Sequence, residues 1–280
     1  MGLETIAKGL HYKDGIYFSN ERTRVSYPEG AHSGCFQMEE NSFWFKHRNA
    51  CIVQVVDRYP PDGPIFDIGG GNGFVSLGLE RSGYDAVLLE PGLEGALNAQ
   101  KRGLDRIMCA TLEEIQAGEN ALPAVGIFDV VEHIEDDRTF LKEIFYHLQE
   151  KGKLYLTVPA YSFLWSNEDI GAGHFRRYTK KGMTTLLRSL GFEICYSSYI
   201  FSFLPLPIFL LRSLPSRLGG NKNAYELNKY QKEHGEKGGV MGKLMNKSFQ
   251  RELERIRSGK GVPFGSTVLV CAEKPAGSSV

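Results

Sequence analysis

The sequence predicts an α/β protein with a doubly wound, mostly parallel sheet of seven strands, helices on both faces and a helical insertion before the last strand. Three observations predict it. Short apolar runs alternate with helix-like stretches, a glycine-rich loop follows the first run, and about sixty residues separate the last two strands. Strands that alternate with helices form right-handed crossovers, which build a parallel sheet of the Rossmann-like kind.

Each element follows from its apolar spacing. Continuous or alternating apolar runs predict strands at 64–68, 86–90, 106–109, 125–130, 153–158, 192–200 and 266–274. Helical spacing predicts helices at 39–59, 74–81, 93–102, 112–117, 137–149, 179–190 and 241–256. Asp137 and Thr179 are predicted to cap their helices. The stretch "HYKDGIYF" predicts a hairpin that turns at Asp14 and Gly15.

These elements suggest four segments. Residues 1–60 form an N-terminal hairpin and helix extension over the site, 61–200 the cofactor-binding core, and 263–280 the final strand and tail. Residues 201–262 form a helical lid or substrate-binding insertion, because an insertion of this length in a compact domain is more often functional than passive.

Composition excludes several function classes. Lys plus Arg equals Asp plus Glu at 33 each, so no global basic field favours nucleic acid. The five cysteines are scattered without a CxxC pair, which argues against a disulfide framework or a zinc knuckle. We interpret them as reduced thiols, mostly in the core. The first residues lack a secretion signal, so we expect a cytoplasmic protein.

Residues 194–211 carry no charge, but Pro205 and Pro207 interrupt them before they reach the roughly 20 residues that a spanning helix needs. We therefore expect no transmembrane helix here. Peripheral contact with a membrane or a lipid-linked substrate stays open as an alternative.

The glycine loop "IFDIGGGNGF" decides between nucleotide-like cofactors. A phosphate-binding P-loop needs Lys followed by Ser or Thr after its last glycine, and the sixth position counted from Gly69 is Phe74. The dinucleotide pattern G-x-G-x-x-G also meets Phe74 where its third glycine should stand. Glu90, at the end of the next strand, is placed to accept the ribose hydroxyls of a nucleotide-like cofactor. A dehydrogenase also uses an acid there, so Glu90 does not discriminate between these cofactors.

The stretch instead matches D-x-G-x-G-x-G. With "VLLEPG", "ATLEEI", "GIFDVVEHI" and "LQEKGKLYLTVPA" in the same order, it resembles the class I S-adenosylmethionine-dependent methyltransferases. The resemblance is to the small-molecule type, similar to bacterial enzymes of the ubiquinone-biosynthesis kind, and covers about Ile65–Ile200 and the final strand. It implies S-adenosylmethionine as cofactor, S-adenosylhomocysteine as product, and these cofactor-binding residues: Asp67, Gly69, Gly71, Asn72, Gly73, Phe74, Glu90, Pro91, Thr111, Leu112, Asp129 and Val130.

Methyl transfer from a sulfonium needs an aligned nucleophile and, for a hydroxyl or acidic carbon, a base that removes its proton. We expect that base near the ends of the fourth and fifth strands, and the predicted catalytic residues are Glu132, His133 and His174. The crowded loop "PAYSFLWSNEDIGAGHFRRYTKKGM" and the helix before the first core strand supply the predicted acceptor contacts. These are Trp44, His47, Arg48, Tyr161, Trp165, Arg176, Arg177 and Tyr178. The alternative for the arginines is pairing with local acids such as Glu168.

Asp129, Glu132 and His133 form D-x-x-E-H, which is similar to the E-x-x-E-H metal site of some related O-methyltransferases. Aspartate in the first position is a shorter arm than glutamate. We expect no metal, and a divalent cation on these three residues is the alternative.

The sequence thus favours a methyltransferase that acts on an O, N or C nucleophile of a small molecule, including acidic, lipid-linked or polysaccharide-linked acceptors. Amino-methyltransferases of nucleic acids carry an Asn or Asp-Pro-Pro-aromatic turn, which Val130, Val131 and Glu132 replace here, so we expect no nucleic-acid partner. Two alternatives stay open: a catalytically silent S-adenosylmethionine-binding protein and an NAD-dependent dehydrogenase. The sequence does not determine the oligomeric state.

Overall fold

The computed structural model describes residues 6, 8–19, 36, 38–219 and 239–278, without the side chains of residues 240 and 241. Its strands form one nine-stranded sheet. They are β1 (Leu10–Lys13), β2 (Ile16–Ser19), β3 (Ile65–Ile68), β4 (Ala86–Leu89), β5 (Ile107–Cys109), β6 (Leu122–Phe128), β7 (Leu148–Pro159), β8 (Glu193–Ile200) and β9 (Thr267–Glu273).

The strand order is β1-β2-β5-β4-β3-β6-β7-β9-β8. The α/β class and the mostly parallel sheet are confirmed, but the predicted count of seven strands is wrong. The hairpin turns at Asp14 and Gly15 as predicted, and its second strand then pairs in parallel with β5, with Ile16 opposite Ile107. Two strands are thereby added to the sheet, because the edge of β5 offers unpaired backbone groups and Ile16 becomes fully buried there.

The order of the core strands in the sheet indicates where a ligand would bind. All residues of β3, β4 and β6 are buried, as expected for strands covered by helices on both faces. The chain order runs outward in opposite directions from β3 and β6, which lie side by side in parallel. Loops at the carboxyl ends of such a pair form a crevice, where open α/β sheets bind ligands.

Nine α-helices have both ends among the described residues. They are α1 (Phe43–Arg58), α2 (Phe74–Arg81), α3 (Leu93–Lys101), α4 (Asp137–His147), α5 (Asn167–Gly171), α6 (Lys180–Ser189), α7 (Pro205–Ile208), α8 (Leu214–Arg217) and α9 (Gly239–Arg257). A π-helical stretch, Phe209–Ser213, joins α7 to α8. Thr179 caps α6 as predicted, accepting a hydrogen bond from the Gly182 amide at 3.0 Å.

Two local predictions are wrong. Residues 112–117 form turns instead of a helix, because Gln116 takes a φ of +50°, which ends the segment after the single turn that Thr111 and Glu114 close through reciprocal bonds to each other's backbone amides. The cap of α4 is Asp136 and not Asp137: its carboxylate accepts a hydrogen bond from the Thr139 amide at 3.0 Å.

The uncharged stretch 194–211 is divided between β8 and the helical segment that begins at Pro205. In the parts of the chain that the structure describes, no helix is both long enough and apolar enough to cross a membrane. Of the cysteines expected in the core, Cys51 and Cys271 are buried, Cys109 and Cys195 are half-buried, and Cys35 lies outside the described residues.

The inserted helix α9 packs on α1. Glu252 on α9 is buried and accepts hydrogen bonds from the amides of Phe201 and Ser202 at 2.8 and 2.7 Å. His47 on α1 lies 2.9 Å from the same carboxylate and stacks on Phe249 with ring centroids 3.8 Å apart. These contacts join the insertion to the helix that precedes the first core strand. Residues 220–238 of the predicted insertion lie outside the described residues.

Candidate active site

The glycine loop connects the end of β3 to the start of α2. Gly69, Gly71 and Gly73 have φ angles of +69°, +56° and +72°, a conformation in which a Cβ atom is disfavoured. A side chain on Gly70 would also meet Leu88 and Asp67 at less than 3 Å. The loop therefore presents backbone alone, which is what a close-fitting cofactor requires.

Glu90 follows β4 and reaches the glycine loop. Its carboxylate accepts hydrogen bonds from the amides of Gly71 at 2.8 Å and Gly92 at 2.6 Å. Burial raises the pKa of Glu90 to about 7, although these two bonds oppose the shift. An acid thus lies against the loop, at the strand end where the resemblance places the ribose hydroxyls.

Asp67 lies beneath the loop and is fully buried. One carboxylate oxygen accepts a hydrogen bond from Ser76 at 2.7 Å, while Oδ1 has no hydrogen-bond partner among the described residues. Burial raises its pKa to about 6, against the opposing effects of Ser76 and Arg48. An unpartnered buried acceptor at a backbone-only loop is consistent with the cofactor that the resemblance implies.

The other predicted cofactor residues divide into two groups. Asn72 is buried within the loop, where its side-chain oxygen accepts a hydrogen bond from Asn98 at 3.0 Å, and the side chain of Leu112 lies in the core. Thr111 bonds to Glu114 in the turn after β5. Phe74 starts α2 beside Phe45, and Pro91 follows Glu90, so these two border the loop.

The predicted acceptor side begins at the end of β6. Asp129 has a φ of +58° and forms a salt bridge with Arg48 of α1, while Thr157 donates to its other oxygen at 3.2 Å. Val130, the next residue, lies over Gly69: a Cβ there would be 3.0 Å from Val130. The end of β6 therefore borders the glycine loop.

Glu132, His133 and His174 come together next to this strand end. Their potential ligand atoms all lie within 4.8 Å of one another, and the two imidazoles meet edge-on at 4.7 Å. Burial and the neighbouring His174 lower the pKa of His133 to about 4. Burial and the nearby Asp129 raise the pKa of Glu132, whose Oε2 has no hydrogen-bond partner among the described residues. Burial thus favours the neutral form of both groups, the imidazole of His133 and the carboxyl of Glu132.

Asp169 holds His174 in place. Its Oδ1 lies 2.9 Å from Nδ1 of His174, and Arg177 donates to both carboxylate oxygens at 2.7 and 3.1 Å. Burial acts to raise the pKa of Asp169, but the bonds from His174 and Arg177 prevail and lower it. The carboxylate orients the imidazole so that Nε2 of His174 is turned away from it. Sequence reasoning did not select Asp169, because an acid in a polar loop carries no periodic signal.

The remaining loop residues are mostly engaged with the protein. Arg176 pairs with Asp137 at 2.9 Å, and the buried Tyr178 donates to the same carboxylate at 2.7 Å. Tyr161 stacks on Tyr199 at 5.0 Å, and Trp165 is half-buried just after a 3-10 turn. Both predicted arginines therefore pair with local acids, which are Asp137 and Asp169 instead of Glu168.

On α1, Arg48 alone of the three predicted residues reaches an acid at the β6 end. Trp44 lies between Arg48, 4.7 Å from its ring, and Phe201, with which it stacks at 5.5 Å. His47 faces α9 and Glu252. Their contacts link the site to the insertion.

Comparison with known proteins agrees with this geometry. A family model described as "Methyltransferase domain" matches residues 44–197, more than half of the chain. The chain belongs to this methyltransferase family. The match confirms the resemblance to class I S-adenosylmethionine-dependent methyltransferases. No curated protein matches the chain significantly.

Solved structures share the fold. One chain of a Haloferax volcanii complex that contains the Trm112 methyltransferase activator aligns with a TM-score of 0.56 at 14% identity, over 89% of this chain and 97% of that one. A SAM-dependent methyltransferase from Thermotoga maritima aligns with 0.54 at 18%, over 87% and 97%. Phosphoethanolamine N-methyltransferase 2 of Haemonchus contortus, in complex with S-adenosyl-L-methionine, aligns with 0.52 at 17%, over 90% and 58%. At these identities the likeness is one of fold.

Proposed function

We propose that this methyltransferase acts on a small-molecule acceptor and that His133 is its general base. The observation that carries the proposal is the pair of imidazoles, His133 and His174, beside the strand end that borders the glycine loop. A base must be unprotonated at the working pH and lie near the proton that it removes, which belongs to the acceptor atom aligned with the methyl donor. His133 meets the first condition by burial and the second through Val130, three positions earlier.

S-adenosylmethionine, when bound, would supply a methyl group on a sulfonium. The leaving group is the neutral thioether S-adenosylhomocysteine, which needs no acid assistance. Gly69, Gly71 and Gly73 would hold it through the backbone, and Glu90 would accept its ribose hydroxyls. The unpartnered Oδ1 of Asp67 provides an acceptor beneath the loop.

The protein's own groups then act on the acceptor. His133 accepts the proton of an O, N or acidic C nucleophile, and His174, oriented by Asp169, lies beside it to share or pass on that proton. Burial raises the pKa of Glu132 and so favours its protonated form, in which the carboxyl can donate a hydrogen bond to the acceptor. Arg48 balances the charge of Asp129 at the same edge.

A divalent cation is the second candidate for activating the acceptor. The structure gathers Glu132, His133 and His174, whereas the predicted set contained Asp129, which pairs with Arg48 instead. Our prediction stays that no metal is needed. Metal analysis of the purified protein and assays with a chelator test it: loss of transfer on chelation, restored by one added divalent metal, would replace the general-base proposal.

The direct test incubates the protein with methyl-labelled S-adenosylmethionine and cell extract. We expect label in a small, protease- and nuclease-resistant molecule with the wild-type protein and with the exposed control variant His11→Ala. We expect almost none with His133→Ala. Label in RNA or protein contradicts the small-molecule proposal, and absence of label with intact cofactor binding favours the silent alternative.

A further inference from the structure

The helical segment 205–218 turns its apolar side outward. Leu206, Leu211 and Leu218 are 66%, 70% and 77% exposed, and Leu210 and Leu214 complete a stripe with spacing near four residues. The buried side instead carries Pro205 and Ser213, whose hydroxyl donates to the Leu164 carbonyl at 2.8 Å. This is the reverse of an ordinary surface helix, in which leucines face the core.

The stripe continues onto the loop that carries Asp169 and His174. Phe163 is exposed, its ring lies 6.1 Å from Phe209, and its carbonyl accepts a hydrogen bond from Arg217 at 2.8 Å. Phe264, also exposed, meets Tyr161 at 5.2 Å. Contiguous apolar surface of this kind marks an interaction site, whereas a single exposed leucine does not.

The charges near the stripe indicate what covers it. No Asp or Glu occurs from residue 194 to residue 225, and the charged residues in that range are Arg212, Arg217 and Lys222. Arg212 pairs with Glu168 of the loop, and Arg217 lies 5.7 Å from the Phe209 ring. A two-fold contact between two copies through this stripe would bring the same cations together with no acid from the segment to pair them. Leucines flanked by arginines fit the boundary of an anionic bilayer.

We propose that the leucine stripe, residues 206, 210, 211, 214 and 218, docks on an anionic lipid surface. Ser213 and Arg212 connect the segment to the loop that carries Asp169 and His174. Docking therefore places the acceptor side of the site at the membrane. The docking is independent of methyl transfer; that the acceptor itself carries a hydrocarbon chain rests on the proposed function.

The test is flotation of the full chain with vesicles, in the absence of S-adenosylmethionine and acceptor. We expect binding to phosphatidylcholine mixed with phosphatidylglycerol, weaker binding at high salt, and little binding to phosphatidylcholine alone. The double variant Leu206→Ser, Leu211→Ser should bind at least about tenfold more weakly, because two leucine side chains are no longer transferred from water into the apolar part of the bilayer. Arg217→Gln should bind about fivefold more weakly, the effect of one cation at such a surface.

The matched control is Leu93→Ser, Leu97→Ser, two exposed leucines on α3, which should bind vesicles like the wild type. Circular dichroism and S-adenosylhomocysteine binding establish that each variant is folded. Absence of flotation, or equal loss in the α3 control, overturns the proposal. So does a dimer in light scattering that the stripe variant dissociates. Failed methyl transfer with flotation intact instead contradicts the proposed function alone.

Discussion

The cofactor side and the acceptor side of the site are built in different ways. Gly69 to Gly73, Glu90 and the amide of Gly92 lie within a short stretch of chain, at the ends of neighbouring strands. The acceptor side gathers Arg48, the end of β6 and the loop around His174, which are far apart in the sequence. A site built from residues close in sequence can be recognised as a motif. A site built from distant segments appears in the sequence as isolated polar residues, and their partners are known only from the fold.

The two sides also treat their acids differently. Glu90 and Asp67 on the cofactor side have pKa values raised by burial, to about 7 and about 6. On the acceptor side the pKa of Glu132 is raised by burial, while the pKa of Asp169 is lowered by its bonds to His174 and Arg177. Neighbouring carboxyl groups with pKa values moved in opposite directions are typical of acid–base sites. If the two sides act separately, a substitution on the acceptor side should leave cofactor affinity unchanged.

The largest effect is expected on the acceptor side. His133→Ala should lower methyl transfer by about 10² to 10⁴-fold, the usual contribution of a general base. S-adenosylhomocysteine affinity should stay within about twofold, because removing a group that acts in the transition state changes the rate and not cofactor binding. Transfer assays and calorimetry on the same preparations measure both. A large loss of affinity would show that the two sides are not separable.

On the cofactor side we expect a pH-dependent stability effect at Glu90. Its folded pKa of about 7 lies above the ordinary value of 4.5, so its stabilising contribution is complete below pH 4.5 and lost as pH rises through 7. The free energy of unfolding of the wild type, relative to Glu90→Gln, should therefore fall by up to about 3 kcal/mol over this range. Urea unfolding of the cofactor-free protein at several pH values measures it. A difference that grows with pH would contradict the raised pKa.

The insertion should support the acceptor side alone. Glu252→Gln weakens bonds to the amides of Phe201 and Ser202, and we expect about 1.5 to 3 kcal/mol of destabilisation. Glu254→Gln, exposed on the same helix, should change stability by less than about 0.5 kcal/mol. Denaturant unfolding gives both values. S-adenosylhomocysteine affinity should be unchanged, and a parallel loss there would contradict the comparison.

The smallest expected effect is on the pH profile. Because the pKa of His133 is lowered to about 4, kcat at saturating cofactor and acceptor should stay nearly flat between about pH 5.5 and 7.5. An ordinary histidine would lose about tenfold at the acid end. Initial rates across this range measure it, and a limb near pH 6.5 would assign the proton to another group.

Much of the fold was predictable because its signals are local. The seven core strands, the glycine loop and the Asp14–Gly15 hairpin follow from apolar runs and turn residues, and all are observed. The pairing of Ile16 with Ile107 was not, since nothing in the hairpin specifies a distant partner. The helix predicted at 112–117 was wrong because Leu112 and Ile115 are buried, as they would be in a helix, yet the positive φ of Gln116 ends the segment after one turn.

The site shows the same limit. Glu90 was predicted from its place at a strand end, and Glu132, His133 and His174 from the loops that hold them. The contact between His133 and His174, and the orienting Asp169, needed the tertiary structure. Arg177 was predicted to contact the acceptor, with pairing to a local acid as the alternative, and in the structure it donates to Asp169 of the same loop.

The central claim is that the glycine loop and Glu90 bind S-adenosylmethionine. Calorimetric titration of the full chain with S-adenosylhomocysteine, and separately with NADH, tests it most directly. The structure leads us to expect one S-adenosylhomocysteine bound per chain, weakened by Glu90→Ala but not by the exposed control Glu119→Ala, and no heat from NADH. Binding of NADH without binding of S-adenosylhomocysteine would contradict the assignment.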